Sequence, residues 1–198
     1  MLFMGQEWGC SSPFNYFTDH QPRLGHNITE GRRKEFKQFS AFRDPESRQK
    51  IPDPQAEETF FRSRLAWQDL TNPENVRLLR LYQDLIRFRR AKLTERRRGT
   101  WQVALAAPFT IALRYHNVSG TSDALALIQL VPAQTSLDAN TALLRPQRRA
   151  GWHFAFSSNQ PIYGGEQPGL YDPKKKEFSL IQPEAIVFLE EGEFRPQP

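Results

Sequence analysis

The chain opens MLFMGQEWGCSSPFNYFTDHQP, Met1–Pro22. Leu2–Met4 reads as a very short buried strand, and Gly5 releases it into a loop punctuated by Gly9, Ser11, Ser12 and Pro13. That loop carries Gln6, Glu7, Trp8, Tyr16, Phe17, Asp19 and His20. Flat aromatic faces suit the apolar face of a pyranose ring, while carboxylates and amides take its hydroxyls. The seven residues are therefore candidate sugar contacts. The competing structural reading is that the aromatics only pack the loop onto a core and that Asp19 caps a turn.

Downstream, the spacing of Arg33, Phe36, Phe39 and Phe42 predicts a helix starting near Thr29 or Glu30. Asp44–Glu58, with Pro45, Pro52 and Pro54, reads as an irregular excursion. Thr59–Trp67 predicts a short helix with Phe60, Phe61 and Leu65 turned inward. The clearest element is Pro73–Lys92. Asn72 can cap it, Pro73 suits a first helical position, and Leu78, Leu81, Tyr82, Leu85 and Phe88 form an apolar stripe. Its closing cations, Arg87, Arg89, Arg90 and Lys92, complement the helix dipole. A stripe of this kind is core, not a site.

After Arg98-Gly99 the period changes from helical to alternating. WQVALAA, FTIALRYHN, ALALIQLV, WHFAFSS, EFSLIQ and AIVFLEE are short strand-like runs separated by turn residues such as Asn117–Gly120, Gly164-Gly165 and Asp172-Pro173. In the second, Ile111, Leu113 and Tyr115 alternate with Thr110, Ala112 and Arg114, the mark of a half-buried strand. Strands at this spacing predict an antiparallel sandwich. The expected division is residues 1–97 and 98–198, with Gly99–Pro198 folding on its own.

The 198 residues carry 27 Lys and Arg against 22 Asp and Glu, a net charge of +5. The basic clumps are scattered and interleaved with acids, so they read as solvated surface and not as a nucleic-acid footprint. One cysteine, Cys10, leaves no internal disulfide and no cysteine-rich metal site, and points to the cytoplasm. His20 and His26 are too isolated to suggest a metal, and neither Cys10 nor Ser11 has a paired histidine at a recognised spacing. No apolar run is long enough to span a bilayer. No metal, cofactor, nucleic acid or membrane partner is expected.

LFMGQEWG, SSPFNYFTDH, EGRRKEF, IPDPQAEETFFRSRLAW and LLRLYQDLIRFRR, in that order over residues 1 to about 90, resemble the malto-oligosyltrehalose trehalohydrolases of the α-amylase family. The resemblance implies that Leu2–Met4 is the last strand of a (β/α)8 (TIM) barrel, followed by that barrel's helices and then by a C-terminal antiparallel β-sandwich. It implies a C-terminal portion of a glycoside hydrolase that releases trehalose from maltooligosyl-trehalose by cutting the α-1,4 bond beside the trehalose unit. The family's catalytic carboxylates lie on earlier strands, so none is assigned to a residue of this chain, and the chain alone is expected to be inactive. The expected partners are an α-glucan or maltooligosyl-trehalose, and the missing barrel portion as a separate chain. Gln6, Glu7, Trp8, Phe17, Thr18, Asp19 and His20 become substrate-binding candidates, with Arg32, Arg33 and Glu35 bracing them. The alternative is a free-standing carbohydrate-binding sandwich that uses Trp101 or Trp152, without catalysis.

Overall fold

The computed structural model describes residues 1–93, 101–116, 123–190 and 194. The expected division near residues 97/98 and the turn at residues 117–120 lie outside the described residues. Two compact units emerge, Met1–Asn75 and Val76–Pro198.

The first unit is helical. A 3-10 turn at Gln6–Trp8 is followed by α1 (Pro22–Phe36), a second 3-10 turn at Ser40–Phe42, α2 (Pro45–Gln49), α3 (Glu57–Arg62) and a third 3-10 turn at Trp67–Thr71. Leu2–Met4 forms no strand, contrary to the sequence reading. A strand needs a ladder partner, and this unit contains no strand among the described residues. Leu2, Phe3 and Met4 are exposed instead. Helix α1 begins seven or eight residues earlier than expected, because Pro22 sits in its first turn, where a missing amide donor costs nothing. The expected excursion contains α2, capped by the Asp44 carboxylate, which accepts from the Ser47 N–H. Phe60 and Phe61 are exposed on α3, also contrary to expectation.

Helix α4 (Pro73–Lys92) has the predicted bounds, and the Asn72 side chain accepts from the Glu74 N–H at 3.0 Å. In the second unit, β1 (Trp101–Ala107), β2 (Thr110–Tyr115), β3 (Ala124–Gln129), β5 (His153–Ser157) and β8 (Glu184–Leu189) form one antiparallel sheet in the order β1-β2-β3-β8-β5. A second sheet runs β4-β7-β6, from β4 (Thr135–Asp138), β6 (Leu170–Asp172) and β7 (Glu177–Leu180). Leu125, Leu127, Ile186 and Phe188 of the larger sheet meet Leu137, Phe178 and Leu180 of the smaller in a closed core. The predicted sandwich is thus present, with β4 and β6 added to the strands read from sequence. Trp152 belongs to this core, its Nε1–H donating to the Leu144 carbonyl at 2.7 Å. The other face of the larger sheet carries a second cluster, in which Phe88 of α4 packs with Ala155, Phe156, Tyr163 and Leu189.

Candidate functional site

The opening loop of the first unit is held by two glycines and then strapped down. Gly5 and Gly9 both have positive φ, 82° and 65°, and bracket the Gln6–Trp8 turn. A Cβ on Gly5 would lie 2.7 Å from the Cβ of Cys10, whose N–H donates back to the Gly5 carbonyl at 2.9 Å. Beneath the turn, Trp8 is buried and stacks on Trp67 with ring centroids 4.8 Å apart. The Gln6 amide oxygen accepts from the Phe3 N–H.

Further along, the loop is tied to the segment around α3. The Ser11 N–H donates to Asp69 at 2.7 Å, Asn15 N–H to the Ser63 hydroxyl at 3.1 Å, and Thr18 N–H to the Pro54 carbonyl at 2.8 Å. Gln55 completes the attachment. Its Oε1 accepts from the Thr18 hydroxyl and the His20 N–H, and its Nε2 donates to the His20 carbonyl. Gln55 lies where any side chain on Gly25 of α1 would stand, so the glycine makes room for it. Asp53 anchors the base by accepting from the Gln55 N–H at 3.0 Å and the Thr29 hydroxyl at 2.7 Å. Those two bonds hold its carboxyl below the usual aspartate range, with Arg33 and His26 adding to the effect.

This scaffold frames a pocket of about 560 Å3. Phe17, Thr18 and Asp19 line one side, and Gln55, Glu57 and Phe60 line the other. Phe17 and Phe60 meet edge to face at 5.2 Å, and both remain exposed. The pocket therefore offers two aromatic rings, two carboxylates and an amide, a set suited to a polyhydroxylated ring. Three of the sequence candidates, Phe17, Thr18 and Asp19, come together in it. His20 adjoins it through its backbone. Gln6, Glu7 and Trp8 lie in the 3-10 turn, outside the lining. Arg32 braces the loop from α1, its guanidinium 4.6 Å from the Tyr16 ring centroid. Gln55 and Glu57 were missed because the prolines around them suggested only an excursion, and Phe60 because its helix was expected to turn it into the core. Among the described residues no cluster of ligating side chains could hold a metal, and no helix is long and apolar enough to cross a membrane.

The fold is similar to part of a solved α-amylase-like structure. A crystal structure from Salmonella typhimurium that carries the alpha-amylase name superposes with a TM-score of 0.67 at 25% identity, covering 96% of this chain and 27% of that one. The sequence relatives are more particular. Malto-oligosyltrehalose trehalohydrolase of Deinococcus radiodurans is 51% identical over 90 residues, 46% of this chain and 14% of the relative. The proteins of the same name from Mycobacterium tuberculosis and Saccharolobus solfataricus are 46% identical over 90 residues and 36% identical over 91. This chain covers 15% and 13% of their lengths. The resemblance read from the motifs is thus borne out over about 90 residues. No family model matches the chain.

Proposed function

We propose that this chain is the C-terminal portion of a glycoside hydrolase that releases trehalose from maltooligosyl-trehalose by cutting the α-1,4 bond next to the trehalose unit. The observation that carries the reading is the pocket in which Phe17, Asp19, Gln55, Glu57 and Phe60 converge. Its rings stack on glucosyl units and its polar groups orient them, within a segment resembling named trehalohydrolases. Hydrolysis itself needs two carboxyl groups about 5–5.5 Å apart across one glycosidic bond when configuration is retained. Asp19 and Glu57 are the acids of the pocket. Both are exposed, and neither sits on a rigid strand able to hold it to the tolerance of about half an ångström that catalysis demands. The chain alone therefore binds and does not cut. The catalytic carboxylates come from the part of the barrel that lies outside this segment.

The test is direct. The 198-residue chain incubated with maltooligosyl-trehalose should release no trehalose, and co-expression with the barrel portion of a trehalohydrolase should restore release. Turnover by the chain alone, abolished by Glu7→Gln or Asp19→Asn, would make the loop itself catalytic and overturn the reading.

A further inference from the structure

The larger sheet of the sandwich ends at β5 and the smaller at β6, and these edges, which pair with no further strand among the described residues, border a cleft of about 360 Å3. Buried Trp152 and Phe188 form its floor, while Phe154, 45% exposed, and Leu170, 61% exposed, stand at its mouth. Tyr171 and Gln167 also line it, and neither the Tyr171 hydroxyl nor the Gln167 side-chain amide has a hydrogen-bond partner among the described residues. A smaller hollow of about 180 Å3 shares the Gln167–Leu170 segment and adds Ser179 and Gln182.

One buried side chain fixes the two borders. Glu184 accepts from the Ser157 hydroxyl at the end of β5, at 2.6 Å, and from the Gly169 N–H just before β6, at 2.8 Å. Gly169 approaches so closely that a Cβ would lie 2.8 Å from the Ser179 carbonyl oxygen. The cleft is therefore a held shape.

We propose that this cleft is a second carbohydrate site, distinct from the loop pocket, which takes glucosyl units of an α-1,4-glucan chain. The proposal rests on the glucan reading above for the identity of the sugar. Its own support is chemical. Aromatic surface meets the C–H face of a pyranose, and the free amide, the free hydroxyl and the open strand edges provide donors and acceptors around it. A wholly apolar ligand would leave those edge groups without partners. A peptide added as an extra strand is a poorer fit, because β6 is three residues long and β5 is bulged between Phe154 and Phe156.

The test is a titration of the full 15N-labelled chain with maltoheptaose, with cellohexaose as the control. Amide shifts should appear at residues 153–157 and 167–172. Phe154→Ala and Gln167→Ala should each weaken that response roughly tenfold, the loss of about one stacking or hydrogen-bonding contact. Both side chains are exposed, and an unchanged melting curve certifies each variant; Gln167→Ala alone decides if Phe154→Ala melts early. Shifts confined to the Phe17–Phe60 pocket overturn the cleft and leave the pocket reading standing. Shifts at the cleft alone support it and count against the pocket. Silence at both places, or an equal response to cellohexaose, sinks the proposal.

Discussion

The side-chain amide of Gln55 grips the backbone of His20 at both ends. Its Nε2 donates to the His20 carbonyl oxygen at 2.9 Å, and its Oε1 accepts from the His20 N–H at 3.3 Å. The same oxygen takes the Thr18 hydroxyl, so one glutamine fixes the three residues that carry Asp19 into the pocket. Gln55→Ala should cost about 1–2 kcal/mol, the net worth of two or three such bonds shared with solvent. Amide exchange at residues 18–20 should accelerate while exchange in the sandwich stays as it was. Gln55→Glu should fail to rescue, since a carboxylate cannot donate to the His20 carbonyl. Unchanged exchange at residues 18–20 in Gln55→Ala would remove Gln55 from this role.

Asp53 in the first unit and Glu184 in the second should contribute to stability against acid with opposite signs. The Gln55 N–H and the Thr29 hydroxyl lower the Asp53 carboxyl in the folded state from an unfolded value of 3.8. Its contribution is complete above 3.8 and is lost as pH falls toward the folded value. Burial raises Glu184 from 4.5, with the Ser157 and Gly169 hydrogen bonds opposing. Above 4.5 the unfolded chain releases that proton before the folded chain does, so the contribution falls as pH rises through this interval. Asp53→Asn should flatten the acid limb of exchange-derived stability in residues 1–75, and Glu184→Gln should make sandwich stability fall more steeply toward low pH, because it removes a contribution that opposes the lowered Asp138 and Asp172 carboxyls. Glutamine keeps the geometry, with Oε1 accepting from Gly169 and Nε2 donating to Ser157. Parallel pH profiles for each variant and the unmodified chain would contradict these assignments.

Much of this was legible in the sequence, for identifiable reasons. The bounds of α4 followed from Asn72-Pro73 and a 3.6-residue stripe, and both depend on local chemistry. The alternation of β2 was equally plain, but not which of its faces is the interlayer. Hydropathy favours Ile111, Leu113 and Tyr115; the structure fully buries Thr110, Ala112 and Arg114 and leaves the apolar set half-buried on the outer face. An arginine can occupy the interior because carboxylates arrive from residues 123 and 190, a long-range pairing that no local pattern announces. The pocket was half legible on the same principle. Phe17, Thr18 and Asp19 stand within the loop that suggested them, whereas Gln55 and Phe60 reach it only through tertiary hydrogen bonds and ring contacts. Leu2–Met4 shows the converse, since apolar residues in a row specify a strand only where another strand can pair with them.

The buried arginine yields its own expectation. Arg114 is 1% exposed, donates through Nε to Asp123 at 2.8 Å and through Nη2 to Glu190 at 3.3 Å, and caps the Leu143 carbonyl at 3.1 Å. Its guanidinium also lies 5.2 Å from the Trp152 ring centroid. Arg114→Met would leave the buried Glu190 carboxylate without its cation and take one partner from Asp123, which keeps its contact with His116 at 2.9 Å; removing one side of a buried pair typically costs about 3–5 kcal/mol. Arg114→Lys should recover little of this, because an ammonium cannot reproduce the planar fork. Adding Glu190→Gln to Arg114→Met should return part of the loss, and denaturant melts of the four proteins measure it. Equal stability of Arg114→Met and the unmodified chain would mean that the cluster contributes nothing.

The last expectation concerns where the sandwich must begin in order to fold. Phe88 is buried against Ala155, Phe156 and Leu189, and one turn earlier Asp84 is wholly inaccessible. The Tyr163 hydroxyl donates to Asp84 Oδ2 at 2.7 Å, Arg87 pairs with Oδ1, and burial pushes the Tyr163 phenol up. Removing the helix would uncover Phe156 and leave a buried tyrosine hydroxyl without its acceptor. Losing the burial of one large ring costs about 1.5–3 kcal/mol. Losing a hydrogen bond to a charged group costs about 1.5–3 kcal/mol more. Together these are a substantial part of the roughly 5–15 kcal/mol available to an ordinary domain. A piece comprising residues 76–198 should therefore melt cooperatively, and one comprising residues 99–198 should melt much lower or not cooperatively at all. Phe88→Ala in the full chain should shift the sandwich melt in the same direction by about 3–5 kcal/mol, and Asp84→Asn by less, since asparagine still accepts from the tyrosine. If the two pieces melt alike, the helix is dispensable and the sandwich is self-sufficient from Gly99, as its strand pattern alone suggests.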